Sequence, residues 1–426
     1  MAFHKTEAAR ADRALIFGSG RSGTAAAALL KARGVDHVVL ADDTRDSIGE
    51  GLFGFAVISP GITLTHPWIV EARRRGIPLK SELQLGCEEL RRQGWKLLAI
   101  TGSKGKSSVV KVVADAINLA GQKAVACGNY GVPVCEVANS NICAFERSNI
   151  SPWAVVEVSS FMMETTSLPS DTFEAAAILN LQEDHLDRHG SVAVYHGLKR
   201  KLLSFAVRNF LNDGLSAEYP GLEASKRLWA NSYFDNEILA GNAAIAVELM
   251  HVAGLSDEKI AAAFKVFKPL PHRMNLVAEI DGVRYVDDSK ATSLAALIAG
   301  VRMAMPMANA EGEGLKTEDG RQERRIRLIA GGLPKGDDPK SVLSTLTDRV
   351  KKVYLIGHCA ETFFAAWNGA VNCEICGTME RAVEAARREA GKGETVLLSP
   401  GTASFDQFQS YGERGDVFAR LIKKEG

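Results

Sequence analysis

The sequence has no excess of charge of either sign. Its 51 lysines and arginines face 51 aspartates and glutamates, so the formal net charge is zero. That balance argues against a nucleic-acid coat or an anionic membrane surface as the general partner. It leaves a local anion site open, because net charge does not report local fields. No apolar run reaches the length of a membrane span. Residues 1–13 are polar and carry no signal-peptide core. A cytoplasmic protein without membrane insertion is expected. Cysteine is sparse and odd in number, 7 in 426 residues, which argues for reduced thiols over a disulfide framework. Cys373 and Cys376 form the one close pair, and without a second pair they read as core or loop thiols, not zinc ligands.

What is present reads as an α/β protein. Hydrophobic residues make up 46% and charged residues 24%, ordinary values for a globular chain. A chain of 426 residues is too long for one core. Three domains in series are expected: 1–93, 94–270 and 271–426.

In the first, a strand over 14–17 leads into Gly18-x-Gly20-x-x-Gly23, an alanine-rich helix and a second strand, 38–40, that ends at Asp42-Asp43. This is a Rossmann fingerprint, with the acidic residue about 20 positions past the glycines. A third strand, 55–58, ends at Ser59-Pro60-Gly61, which should face the same crevice.

The central domain opens on the apolar run Leu97–Thr101, then Gly102-Ser103-Lys104-Gly105-Lys106-Ser107-Ser108 and a helical pattern. Glycines let backbone N–H groups crowd around an anion, and the helix N-terminus adds its dipole. The first glycine of the full P-loop pattern is missing, since Ile100 stands there. Lys106 can reach terminal phosphates, and Ser107 can offer an oxygen to Mg²⁺. Glu157, near the end of an apolar strand over 153–158, is a natural partner for the same ion. The next strand, 175–179, runs into a stretch dense in ionisable residues, including Glu183, Asp184, His185, Asp187 and Arg188. It reads as a metal or proton-transfer site at a strand end, or as a solvated loop. Lys199, Arg200 and Lys201 lie on a basic helix and read as a solvated face. Residues 209–235 read as a connector, followed by helices from about 241 to 253 and 257 to 264.

The third domain begins at His272-Arg273, with a hairpin about Asp281-Gly282. Asp287 to Thr292 then leads into a helix, and the polar stretch 309–325 reads as a mobile loop. Strands follow over 326–330, 352–356 and 395–398, with a helix over 379–390.

Taken together, these motifs resemble the Mur ligases, the ATP-dependent amide-forming enzymes of peptidoglycan precursor synthesis. The resemblance spans nearly the whole chain. It rests on residues 101–108, Gly-Asn-Tyr-Gly-Val-Pro (128–133), Glu-Val-Ser-Ser-Phe (157–161) and Asn-Leu-Gln-Glu-Asp-His-Leu-Asp-Arg (180–188). In the last domain it rests on His272-Arg273, Asp288 to Thr292, Gly331-Gly332-x-x-Lys335 and Ser404 to Phe408. It implies a Rossmann-like UDP-binding domain, a P-loop ATPase-like domain with a parallel sheet, and a C-terminal Rossmann-like domain. It also implies ATP and Mg²⁺ as cofactors, and an acyl-phosphate route that joins D-glutamate to UDP-N-acetylmuramoyl-L-alanine in a monomer.

Residue by residue, the resemblance implies that Lys106, Glu157, His185 and Lys199 are catalytic, and that Ser107, Glu157, His185 and a carbamylated Lys199 hold metal. ATP would meet Gly102, Ser103, Lys104, Gly105, Lys106, Ser107 and Ser108, with Asn242 at adenine, Asp288 at ribose and Arg273 at the γ-phosphate. The UDP-sugar would meet Ser19, Gly20, Arg21, Asp43, Thr44, Ser59, Gly61, Asn129 and Ser159. Glutamate would meet Lys290, Thr292, Lys335, Ser404 and Tyr411.

Lys104, Met162, Gln182 and the pair Ile238-Leu239 depart from the family's usual asparagine, glutamine, threonine and His-Asn. The 43–59 and 209–240 segments are short for the family. The alternatives are the same chemistry with L-glutamate, another amide-forming step, a nucleotide-binding regulator without catalysis, or an NAD-dependent oxidoreductase that uses the Gly18–Gly23 turn.

Overall fold

A computed structural model describes residues 13–41, 47–140, 151–181, 185–212, 233–234, 239–304, 324–334 and 336–424. Three sheets organise them. The first contains β1 (Arg13–Phe17), β2 (Asp36–Leu40), β3 (Phe55–Ile58) and β4 (Leu79–Ser81), all parallel in the order β2-β1-β3-β4. With β2 on one side of β1 and β3 on the other, the chain reverses its winding there, and a crevice opens at the carboxyl ends. Ser59 N donates to Phe17 O at 3.0 Å, and Gly18 N to Leu40 O at 2.9 Å, so both turns face that crevice. Gly23 lets the helix Arg21–Ala32 pack onto the turn, since a Cβ there would overlap the Gly18 carbonyl oxygen.

The second sheet contains β5 (Lys96–Thr101), β6 (Ala124–Gly128), β7 (Trp153–Glu157), β8 (Phe173–Ile178) and β9 (Ala206–Leu211). It is parallel in the order β6-β7-β5-β8-β9. Central β5 is buried along its length except at Lys96, which is why it reads as one continuous apolar run. Its carboxyl end lies between those of β7 and β8.

The third sheet contains β10 (Asn275–Ile280), β11 (Val283–Asp287), β12 (Ile326–Gly331), β13 (Val350–Ile356), β14 (Asn372–Gly377) and β15 (Thr395–Leu398), in the order β10-β11-β15-β12-β13-β14. All its pairs are parallel except the β10–β11 hairpin. Asp281 and Gly282 there have φ of 51° and 75°, as a primed two-residue turn demands. Leu328, Ala330, Val353 and Leu355 pack into one core cluster, and Ile329, Tyr354, Ile356 and Val396 into another. The period-2 alternation therefore buries both faces of this sheet.

The chain divides into two compact units. One comprises residues 1–230 and 241–267, with the first two sheets; the other comprises 231–240 and 268–426, with the third. Within the first unit, the helix Glu82–Arg92 puts Leu83, Cys87 and Leu90 into a cluster with Ala14, Ile16 and Val57 of the first sheet. Leu97, Ala99 and Val156 of the second sheet join the same cluster.

Several elements differ from the sequence expectation. The connector expected from residue 209 begins inside β9, an edge strand whose Val207, Arg208 and Asn209 are exposed. β14 is also an edge strand and was not anticipated, nor were β4 or the helices Ala360–Trp367 and Tyr411–Lys423. Edge strands bury one side only and present no continuous apolar run. Of the stretch expected to be a mobile loop, 309–323 lies outside the described residues. Cys373 and Cys376 are buried free thiols. Among the described residues, no helix is long and apolar enough to cross a membrane.

Candidate active site

The phosphate loop leaves β5 through Gly102, at φ 154°, and enters the helix Lys106–Leu119 through Gly105, at φ 81°. Both conformations are strained for residues with a Cβ. Gly105 caps the helix without a side-chain acceptor, so no cap side chain competes with an anion for the first-turn amides. Lys106 folds over the loop, and its Nζ donates to Gly102 O at 2.8 Å and Ser103 O at 3.1 Å. Asn180, just past β8, clamps the loop from behind. Lys104 N donates to Asn180 Oδ1 at 2.8 Å, and Asn180 Nδ2 returns a bond to Lys104 O at 2.9 Å. Asn180 Nδ2 also lies 3.3 Å from Asn242 Oδ1, while the Asn242 Nδ2 donor is buried and meets no acceptor among the described residues.

Glu157 ends β7 inside the same unit and is 1% exposed, which excludes a solvated strand face. Asn129 Nδ2 donates to its Oε1 at 2.7 Å, whereas Oε2 is buried and meets no donor among the described residues. An ionised carboxylate oxygen in that position needs a cation. Mg²⁺ keeps waters and phosphate oxygens and needs only one or two carboxylates. The donor set therefore fits, although among the described residues no three His, Cys, Asp or Glu side chains gather as a metal cluster.

Lys199 corrects the reading of its basic run as a solvated face: it is 1% exposed. Its Nζ donates to Gly102 O at 2.9 Å and lies 4.6 Å from the centre of the Tyr195 ring, one helical turn earlier. Tyr195 OH is 3.2 Å from Ser103 Oγ, so the helix Val192–Lys201 reaches the phosphate loop through two side chains. His185 is exposed at φ 53°, with its ring 4.8 Å from that of Phe161. His189, buried beneath, bonds Ser160 Oγ at 3.0 Å, and burial lowers its pKa.

At the first-sheet crevice, Ser19, Gly20 and Gly61 are exposed, and exposed Arg21 donates to Gly131 O at 3.2 Å. Ser59 presses against the glycine turn, where a Cβ on Gly18 would sit 3.0 Å from Ser59 Oγ. Ser159 caps the short helix Ser160–Met163. Asp43, Thr44 and Lys335 lie outside the described residues, as do Glu183 and Asp184.

In the second unit, Asp288 follows β11 and accepts from Ser399 Oγ at 3.0 Å. Burial, opposed by that bond and by Arg273, pushes its carboxyl pKa up to about 7. Lys290 Nζ lies 4.1 Å above the Tyr411 ring. Arg414, fully buried, gathers this end of the sheet. Its Nε donates to Ser289 Oγ at 3.0 Å, and its Nη2 to Ser289 O at 2.9 Å and Thr402 O at 3.1 Å. Ser404 is buried two residues beyond Thr402, and Thr292 is half-buried.

Sequence reasoning assigned no role to Asn180 or Arg414. Asn180 stood in a quoted motif at a strand end, which was a signal. Arg414 stood on a polar helix and gave none.

Two family models match the chain: the Mur ligase middle domain over residues 100–213, and the Mur ligase, glutamate ligase domain over 272–401. Similar proteins include the UDP-N-acetylmuramoylalanine--D-glutamate ligases of Acidobacterium capsulatum and Nitratidesulfovibrio vulgaris. Each is 32% identical over 97% of this chain and 96% of its own. The Chlamydia abortus protein of that name is 31% identical over 96% of this chain and 97% of its own. In fold, the chain is similar to the MurF ligase of Thermotoga maritima solved with ADP, with a TM-score of 0.56 at 12% identity over 98% of this chain and 96% of that one.

Proposed function

Since the chain belongs to the Mur ligase family of ATP-dependent amide-forming ligases, we propose that it joins D-glutamate to UDP-N-acetylmuramoyl-L-alanine, with release of ADP and phosphate. The observation that carries this reading is the near-full-length likeness to relatives that bear the D-glutamate ligase name. The buried, half-satisfied Glu157 beside the phosphate loop supports it. An oxidoreductase reading of the Gly18–Gly23 turn would leave Lys106, Glu157 and Lys199 without a task, and we set it aside.

A carboxylate is a poor acyl donor, so its oxygen first takes the γ-phosphoryl group of ATP. The glutamate amine then attacks the acyl carbon, and phosphate leaves as the amine loses a proton. Such chemistry is mostly positioning and charge neutralisation. Lys106 and the loop amides would hold the β- and γ-phosphates. Ser107 and Glu157 would hold Mg²⁺, with His185 serving a second ion. When bound, Mg²⁺ neutralises charge on the phosphates. A carbamylated Lys199 would turn a cation behind the loop into an anionic ligand. Asn242, with its spare donor, would face adenine, and Asp288 the ribose. The crevice of the first sheet would take the UDP group. Lys290, Thr292, Ser404 and Tyr411 would take glutamate, together with Lys335. We place this chemistry in the cytoplasm.

The test is phosphate release from ATP, assayed with each partner omitted in turn and with the two glutamate enantiomers side by side. Release that requires both UDP-N-acetylmuramoyl-L-alanine and D-glutamate is expected. No release with any muropeptide acceptor would sink the reading.

A further inference from the structure

Arg188 lies on the short helix Leu186–His189, yet its guanidinium reaches the turn that leaves β3. Its Nη2 donates to Ile62 O at 2.8 Å and lies 3.4 Å from Pro60 O. The same guanidinium grips Glu164 in a fork, Nη2 to Oε2 at 2.7 Å and Nε to Oε1 at 3.1 Å. Its face lies 5.1 Å from the centre of the Phe161 ring. The Arg188 and Glu164 side chains are only 15% and 8% exposed, so water screens these bonds poorly.

The turn is held from the other side as well. Ile62 N donates to Ser59 O at 3.0 Å, which closes a four-residue turn with Pro60 at its second position. Ser59 packs against Gly18 of the glycine turn. The Ser59–Ile62 turn is thus pinned between the first sheet's own loop and a residue supplied by the second sheet's connections.

We propose that Arg188 is a positioning residue for the UDP-substrate: it fixes the Ser59–Ile62 turn at the crevice of the first sheet and ties it to Phe161 and Glu164. The inference rests on the ligase reading above. The planar fork holds the carboxylate through two parallel bonds while Nη2 also reaches the carbonyl, a fixed geometry that a lysine ammonium does not reproduce. Among the described residues, the hydrogen bonds of Arg188 go to Glu164, Pro60 and Ile62 and not to the phosphate loop, so its loss should spare ATP.

The experiment measures KM for each of the three substrates and the affinity for ADP, in wild type, Arg188→Met, Arg188→Lys and the double variant Arg188→Met/Glu164→Gln. Methionine keeps a stem over Phe161. The double variant removes the Glu164 charge, which the single variant would leave buried with, among the described residues, only His189 Nδ1, 3.4 Å away, beside it. In both methionine variants, KM for UDP-N-acetylmuramoyl-L-alanine should rise about tenfold or more, with ADP affinity and KM for ATP within about twofold of wild type. Arg188→Lys should fall between. An unchanged KM for the UDP-substrate in the folded double variant would overturn the proposal. So would an equal loss of ADP affinity, which would mark Arg188 as general scaffold. A wild-type enzyme with no muropeptide-dependent phosphate release would instead indict the ligase reading.

Discussion

The side-chain amide of Asn180 closes two hydrogen bonds with the backbone of Lys104, one in each direction, at 2.8 and 2.9 Å. The clamp uses only the Lys104 main chain, so either lysine or the family's usual asparagine serves it equally. Removing both bonds should cost about 1–3 kcal/mol of loop order. Asn180→Ala should therefore raise KM for ATP and weaken ADP binding about tenfold, and leave KM for the UDP-substrate near wild type. Calorimetric titration with ADP checks this; unaltered affinity would mean that the loop holds its shape without the clamp.

The spare oxygen of Glu157 gives a second prediction. Glu157→Gln keeps the volume and lets Asn129 retain an acceptor, but removes the charge that a cation needs. The Mg²⁺ concentration for half-maximal activity should rise, and kcat should fall about a hundredfold or more. A Mg²⁺ titration of initial rates is the measurement, and an identical midpoint would remove Glu157 from the metal site.

Lys199 is buried against Gly102 and Tyr195. Lys199→Ala should abolish ligation, and added bicarbonate should not restore it. Wild-type protein in ¹³C-bicarbonate should show a carbamate carbon resonance that the variant lacks. Full activity in the alanine variant would end the carbamate assignment.

Asp288 has a folded pKa of about 7 against an ordinary 3.8. The folded state binds that proton more tightly than the unfolded chain. The stability this contributes is present below the ordinary value and is lost as pH rises through about 7. Asp288→Asn should flatten that decline and be more stable than wild type at about pH 8, by on the order of a few kcal/mol or less, and so melt at a higher temperature there. Glu82, also buried and pushed up to about 7, contributes a slope of the same sign in both proteins and cancels from the comparison. Parallel melting curves across pH for the two proteins would refute the assignment.

Much of the fold was legible before any coordinates. Central strands such as β5 and β15 are buried on both faces and declare themselves as apolar runs. Glycine turns declare themselves because Gly18, Gly102 and Gly105 adopt positive φ where other residues are strained. Edge strands β9 and β14 were lost, because exposed Val207, Arg208 and Asn209 in one and exposed Asn372 and Ile375 in the other break the apolar pattern.

The sequence by itself determined the chemistry at individual strand ends: a phosphate loop after one apolar strand, a carboxylate near the end of another, and a glycine turn after the first. Those are local properties, set by backbone conformation and by residues a few positions apart. The tertiary structure decided which charges are buried and what faces them. Lys199 left its solvated face for the back of the phosphate loop, and Arg414 proved to be a buried clamp. Arg188 met a turn 126 positions away in sequence. Desolvation and long-range hydrogen bonds depend on what the rest of the chain packs against each side chain, and no local pattern carries that information.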